Sequence, residues 1–392
     1  MELLKKYKGL LILVLAIIIC FIVANQFRVA YGGEFVAGVM YSRYVGYLLI
    51  AFLIFRIGVK TKLFLVHNVA MIGVVFILFE IVFYSLIGAP TKENKGFDMP
   101  QLDEGDIQEF VGYLPRQDTV LNDILVFEGD TSFNVDYSID GFRKRITPKI
   151  DSAKNSEYAL FFGCSIAYGY GLEDDQTIPY NYQSNGDITA YNFGYNGHGT
   201  NHMAARLQTQ DLSKQVDEKN GKAFYLFFWD HIPRAVGTMS RYTSWLHFAP
   251  YYYMDNDSLK RNKMFKNGRP VTSFIYENIY QSNTLKYFEI DFPLSLNESH
   301  FDLIAEMIDY SKSHYKEQFG NDEFYTVIMP TYKQYSSEDM KLFIELVESK
   351  GVEVINLEDM VYYKPEYTLK NDAHPNAKLT KLISKELYNR IK

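Results

Sequence analysis

The chain has 392 residues, more than one typical domain needs, a formal net charge of −7, and 16% aromatic residues, chiefly 32 Tyr and 29 Phe. The acidic balance and the lack of a long basic stripe argue against a nucleic-acid partner. With only Cys20 in an apolar run and Cys164 far along the chain, a disulfide-stapled scaffold is excluded.

In chain order, residues 10–24 read LLILVLAIIICFIVA, long enough with their flanks to cross a bilayer as a helix. A second apolar span runs from about Val39 to Val59, with Arg43 and Arg56 near its ends, and a third from Leu63 to Gly88. Glu80 and His67 are the polar exceptions in the third, marking either a helix contact or site, or simply an interface. Lys5, Lys6 and Lys8 precede the first span, and Arg56, Lys60 and Lys62 crowd the link between the second and third. By the positive-inside rule both clusters face the cytoplasm, so three crossings deliver the rest of the chain outside a cell (inner) membrane. A cleaved signal peptide competes for the first span, but two more spans follow it and no small-x-small cleavage site stands out.

Residues 1–88 are thus expected to form three transmembrane helices, 89–109 a polar linker with Pro90, Pro100, Gly96 and Gly105, and 110–155 a small β-rich lead-in. From 156 to 392 strands alternate with helical segments, the pattern of an α/β domain with a parallel sheet. Strands are predicted at Glu157–Gly163, Ile188–Phe193, Lys222–Phe228, Phe324–Met329 and Val352–Leu357. Helices are predicted to start near Thr177, Thr200, His300, Ser336 and Pro375. An aromatic-rich insertion at about 233–292 holds Trp245, His247 and Tyr251 to Tyr253, which form either a sugar-stacking wall beside the active edge or the insertion's own small core.

The first strand ends in Gly163-Cys164-Ser165. Catalytic groups gather at the carboxyl edge of such sheets, so Ser165 is a candidate nucleophile, with a plain turn residue as the bland alternative. A serine nucleophile needs a base, an acid that orients it, and oxyanion donors. His374 in NDAHPN is the candidate base and Asp372 the candidate acid, unless Asp372 or Asn371 merely caps the last helix. The loop YNFGYNGHG (191–199) lets backbone approach a ligand closely, and the third strand ends at Asp230-His231. His198 and His202 lie four apart, but Gly199 between them and the missing glutamate of a metalloprotease motif argue against a metal site. No metal or cofactor is expected.

These blocks resemble those of the SGNH (GDSL-type) hydrolase superfamily, from about Glu157 onward. The resemblance implies a three-layer α/β/α domain with a flavodoxin-like parallel sheet. Ser165 would inherit the nucleophile's place, His374 and Asp372 the rest of the triad, and the Ser165 and Gly197 amides the oxyanion hole. Three departures stand out: Cys164 replaces the usual Asp, Asp230-His231 replaces Asn-Asp, and Asp372 lies two residues before the histidine instead of three, where Asn371 stands. An ionised Asp230 cannot donate a hydrogen bond, which leaves His231 as the candidate third donor. Asp230, Trp245 and Tyr251 are candidate substrate contacts.

The expected function is a membrane-anchored extracytoplasmic esterase or O-acyltransferase acting on ester, chiefly acetyl, groups of envelope or secreted polysaccharide. A transferase would need a membrane protein as acyl donor. The alternatives are a non-catalytic glycan-binding or scaffold protein of an export complex, and a lipase or thioesterase.

Overall fold

A computed structural model describes residues 2–31, 37–87, 107–108, 110–127, 129–150, 156–330, 335–360 and 364–391. Of the stretch 89–109 expected as a linker, only 107–108 fall among them, and the side chains of Lys5, Lys6 and Lys8 lie outside. The chain divides into two compact units: residues 1–92 with 279–291, and 93–278 with 292–392.

The first unit holds helices α1 (Glu2–Tyr31), α2 (Ala37–Thr61) and α3 (Phe64–Ile87). Each is long and apolar enough to cross a membrane. His67 lies between the rings of Phe55 and Phe64 near the α2–α3 turn. Glu80 is buried, and its partners come from two hundred residues away. Its carboxylate accepts from Ser282 Oγ and Asn283 N–H, both at 2.6 Å, and from Thr284 N–H at 3.2 Å. It thereby satisfies the orphan amides that open the short helix Asn283–Tyr287. Phe83, one turn on, packs against Tyr287 and Phe288. Residues 279–291, read in the sequence as insertion, therefore group with the three apolar helices.

The second unit opens with two antiparallel pairs, β1 (Ile107–Gln108) with β2 (Gly112–Tyr113) and β3 (Thr119–Phe127) with β4 (Asp130–Ile139). Its centre is a parallel sheet of β5 (Glu157–Phe162), β6 (Ile188–Asn192), β7 (Asn220–Phe227), β10 (Phe324–Ile328) and β11 (Glu353–Asn356), in the order β11-β10-β7-β5-β6. Counted along the sheet's own strands this is 2-1-3-4-5, the flavodoxin-like order, whose topological switch point lies between β5 and β7.

Central strands buried on both faces read as continuous apolar runs, and β5 shows why. Tyr158, Leu160 and Phe162 enter one core with the helices Thr200–Thr209, Glu298–Phe319 and Ser337–Ser349. Ala159 and Phe161 enter the other with Ile178–Gln183 and Ala377–Ile391. The result is three layers, α/β/α. Phe161 and Phe162, both inaccessible, contribute about 1.5–3 kcal/mol each by burial.

The last helix starts later than its proline suggested. Asn376 Oδ1 accepts from the N–H groups of Lys378 and Leu379, so Asn376 is the cap and the helix begins at Ala377. Pro375 instead bridges Thr368. Neither Asp372 nor Asn371 caps this helix.

The insertion folds around the hairpin β8 (Pro250–Asp255) and β9 (Ser258–Met264), with a core of Tyr242, Leu246, Ala249 and Phe265. Tyr251 belongs to that core, stacked on Tyr253 and packed against Phe265. Tyr251 is half-buried against that core, the packing expected of the second reading of the insertion's aromatics.

Candidate active site

Strand β5 stops at Gly163, and the chain turns at once into the short helix Ser165–Tyr168, placing Ser165 at the switch point on its first turn. The turn is braced from two sides. Asn192 Nδ2, at the end of β6, donates to the carbonyls of Ala167 (2.9 Å) and Tyr168 (3.3 Å). Buried Arg145 donates to the carbonyls of Tyr168 (2.8 Å), Gly169 (2.7 Å) and Leu172 (2.6 Å) while pairing with Asp174 at 2.8 Å. Carbonyls at a helix end have no intrahelical donor, and here a guanidinium fork supplies one.

His374 arrives from the opposite end of the chain. Its Nε2 lies 2.7 Å from Ser165 Oγ, and its Nδ1 2.5 Å from Asp372 Oδ1. Asp372 Oδ1 also accepts the backbone N–H of His374 at 2.7 Å, so one carboxylate oxygen fixes both the ring and the chain that carries it. Burial opposes ionisation of Asp372, but the bonds from His374 outweigh it and hold the carboxyl below its ordinary range. With the proton on Nδ1 facing this carboxylate, Nε2 offers its lone pair to the serine hydroxyl. Asn371 does not bond the imidazole: it sits at φ +58°, and among the described residues its Nδ2 makes only a 3.4 Å bond, to Ser132. Tyr170 closes one side, its ring centroid 4.7 Å from that of His374.

The second block lies against this turn. A Cβ on Gly194 would stand 2.6 Å from Ala167 Cβ, and Tyr195 N–H donates to the Gly163 carbonyl at 3.3 Å. His198 N–H bonds back to the Tyr195 carbonyl at 3.1 Å, closing a turn with Asn196 and Gly197 at its centre. Gly197 has φ +72°, the left-handed value a type II turn needs at that position. Among the described residues neither the Gly197 nor the Ser165 amide donates to a protein acceptor. Trp245 meets this turn directly, its Nε1–H donating to the Gly197 carbonyl at 3.2 Å.

The third block departs from expectation. His231 has no exposed surface; its Nδ1 is bonded to Tyr225 Oη at 2.7 Å, and it packs among Tyr225, Phe227 and Phe228. Burial pushes its imidazole well below the ordinary range, so the ring is neutral, enclosed in the core and withheld from any substrate oxyanion. Asp230 is also buried and binds two guanidinium groups, Arg234 Nε at 2.7 Å and Arg241 Nε at 2.9 Å. Burial disfavours its charge, yet the two cations keep the carboxyl below its usual range. Asp230 is thus an anchor for arginines, not a free substrate contact. His198 and His202 stack with ring centroids 4.1 Å apart, and His198 Nε2 meets the Tyr113 carbonyl at 2.8 Å.

Sequence reasoning passed over Arg145, Asn192, Arg234 and Asn196, whose buried Oδ1 has no partner among the described residues. Only Arg234 left a signal, its four-residue spacing from Asp230 on a short helix.

No protein-family model and no curated protein matches the chain. Among solved structures it is similar to a psychrotrophic esterase from Pseudoalteromonas sp., at 16% identity and TM-score 0.34 over 60% of this chain and 96% of that one. An SGNH-hydrolase family esterase aligns at 12% identity and TM-score 0.34 over 61% and 97%. An acetyl xylan esterase from the rumen bacterium Butyrivibrio proteoclasticus aligns at 10% identity and TM-score 0.35 over 64% and 66%. In its sheet order, its sequence blocks and the Ser165–His374–Asp372 chain, this protein resembles the SGNH, or GDSL-type, hydrolases.

Proposed function

We propose that the protein is a membrane-anchored serine esterase or O-acyltransferase of the SGNH type. The observation that carries this reading is the continuous hydrogen-bonded chain from Ser165 Oγ through His374 to Asp372, at 2.7 and 2.5 Å. Ser165 Oγ bonds to the ester carbonyl carbon while its proton passes to His374 Nε2. The Ser165 and Gly197 amides steady the carbonyl oxygen as it becomes negative. The carbon–alkoxy bond then breaks, and His374 returns the proton to the departing alcohol. Water, activated by the same imidazole, releases the acyl group in hydrolysis; a sugar hydroxyl in that place gives transfer.

The substrate class we favour is an acylated, chiefly acetylated, polysaccharide of the envelope or secreted pool. Three apolar helices and the basic residues Arg56, Lys60 and Lys62 at the α2–α3 link support a membrane location with the second unit outside the cytoplasm. As a transferase the protein would draw its acyl group from a membrane partner. The test uses the full chain in detergent with an aryl acetate and a fluorophosphonate probe. Turnover together with a covalent adduct on Ser165, both lost in Ser165→Ala, is expected; no turnover and no adduct in the parent protein would refute the reading.

A further inference from the structure

The Asp230 anchor and the Gly197 turn belong to one assembly. Arg234 is buried; while its Nε holds Asp230, its Nη1 donates to the His198 carbonyl at 2.8 Å. Trp245 Nε1–H takes the preceding carbonyl, that of Gly197. Two successive carbonyls of the turn are therefore each held by a side-chain donor from the segment that follows β7. Arg241, the second partner of Asp230, lies against the Trp245 ring, as does Arg234, each with its guanidinium carbon 5.6 Å from the centroid. The pair and the indole thus form one stacked cluster.

The peptide between Asn196 and Gly197 is the one that rotates when a type II turn relaxes toward type I. That rotation would re-aim the Gly197 N–H. A short turn with glycine at its pivot resists this only if the peptides that follow the pivot are held; Trp245 holds the Gly197–His198 peptide and Arg234 the His198–Gly199 peptide.

We infer that Arg234, set by Asp230 and assisted by Trp245, is a positioning residue that aims the Gly197 amide at the substrate oxyanion. The chain has a carboxylate where the superfamily pattern calls for a side-chain amide donor, and that carboxylate acts through Arg234 on the neighbouring backbone donor. This inference rests on the esterase reading above.

Two variants of the full chain test it, with aryl-acetate kinetics and the inhibition constant of an alkylboronic acid. The boronate takes the Ser165 oxygen to form a tetrahedral adduct, so its affinity reports the oxyanion site. In Arg234→Lys a single ammonium reaches either Asp230 or the His198 carbonyl, not both. In Trp245→Phe the ring stays and one N–H is lost. The expected result is a fall in kcat/KM of about 10- to 100-fold for Arg234→Lys and about 3- to 10-fold for Trp245→Phe. KM should change little, and the boronate constant should rise in step with the lost kcat/KM. A purely structural role would lower the number of sites titrated by fluorophosphonate and leave the boronate constant unmoved, which overturns the inference. If Arg234→Lys does not fold by circular dichroism, Trp245→Phe decides alone. If the parent protein turns over substrate and labels at Ser165 while the folded variants keep its kcat/KM and boronate constant, the inference fails and the esterase reading stands. If the parent does neither, both fall.

Discussion

Lowering the pH from 7.5 to 5.5 should destabilise the second unit through histidines buried in neutral form. Burial, aided by Arg206 and Arg234, pushes His198 down to about 3 from an ordinary value of 6.5. The unfolded chain therefore binds a proton in this window that the folded chain refuses, and stability falls as the pH falls. At pH 5.5 a histidine that titrates at 6.5 only when unfolded costs about 1.4 kcal/mol, against about 0.1 kcal/mol at pH 7.5. For a unit of this size that is about 2 °C in melting temperature from His198 alone. Burial also drives His202 and His231 well below 6.5, so both add in the same direction. Asp123 and Asp309, whose carboxyls burial raises, act with the opposite sign at the acid end. The assay is thermal unfolding of the full chain in detergent, followed by the emission of Trp229 and Trp245, its only tryptophans and both in this unit. His198→Gln keeps a donor for the Tyr113 carbonyl but cannot titrate, so its melting temperature should depend less steeply on pH than the parent's. A parent midpoint that is flat between pH 7.5 and 5.5, or an unchanged slope in His198→Gln, would refute the reasoning.

Asp372→Asn should cut kcat by about 10²- to 10⁴-fold with little change in KM, since an amide no longer stabilises the imidazolium or fixes its tautomer. Asn371→Ala should stay within about twofold of the parent in the same aryl-acetate assay; the reverse ranking would reassign the orienting residue. Gly194→Ala should lose activity and about 1–3 kcal/mol of stability together, measured by turnover and thermal midpoint. The added methyl meets Ala167 Cβ at 2.6 Å and the Tyr168 backbone nitrogen at 2.8 Å, neither of which is a flexible chain end. A fully stable and active Gly194→Ala would show that the turn behind Ser165 is looser than its packing implies.

Periodicity and local chemistry make much of this protein legible from its residues in order. Three long apolar runs can only satisfy their backbone in lipid as helices, and the apolar run Tyr158–Phe162 fits a strand covered on both faces. The glycines of the 191–199 loop mark a place where backbone can approach a ligand closely, and Ser165, His374 and Asp372 stand out because acyl chemistry needs those types at strand and loop ends. Distance along the chain, however, carries no measure of distance in space. Only the tertiary structure brings His374 to Ser165 across 209 residues, selects Asp372 over Asn371, and gives Glu80 its partners at Ser282 and Asn283. It also encloses His231 in the core and packs Tyr251 against the insertion's own core, because a polar or aromatic side chain reads the same in sequence whether it faces a ligand or the core. Asp230 changes its meaning for the same reason: its charge is evident from the sequence, but its two arginine partners and the turn that Arg234 reaches come together only when β7 and β5 lie side by side.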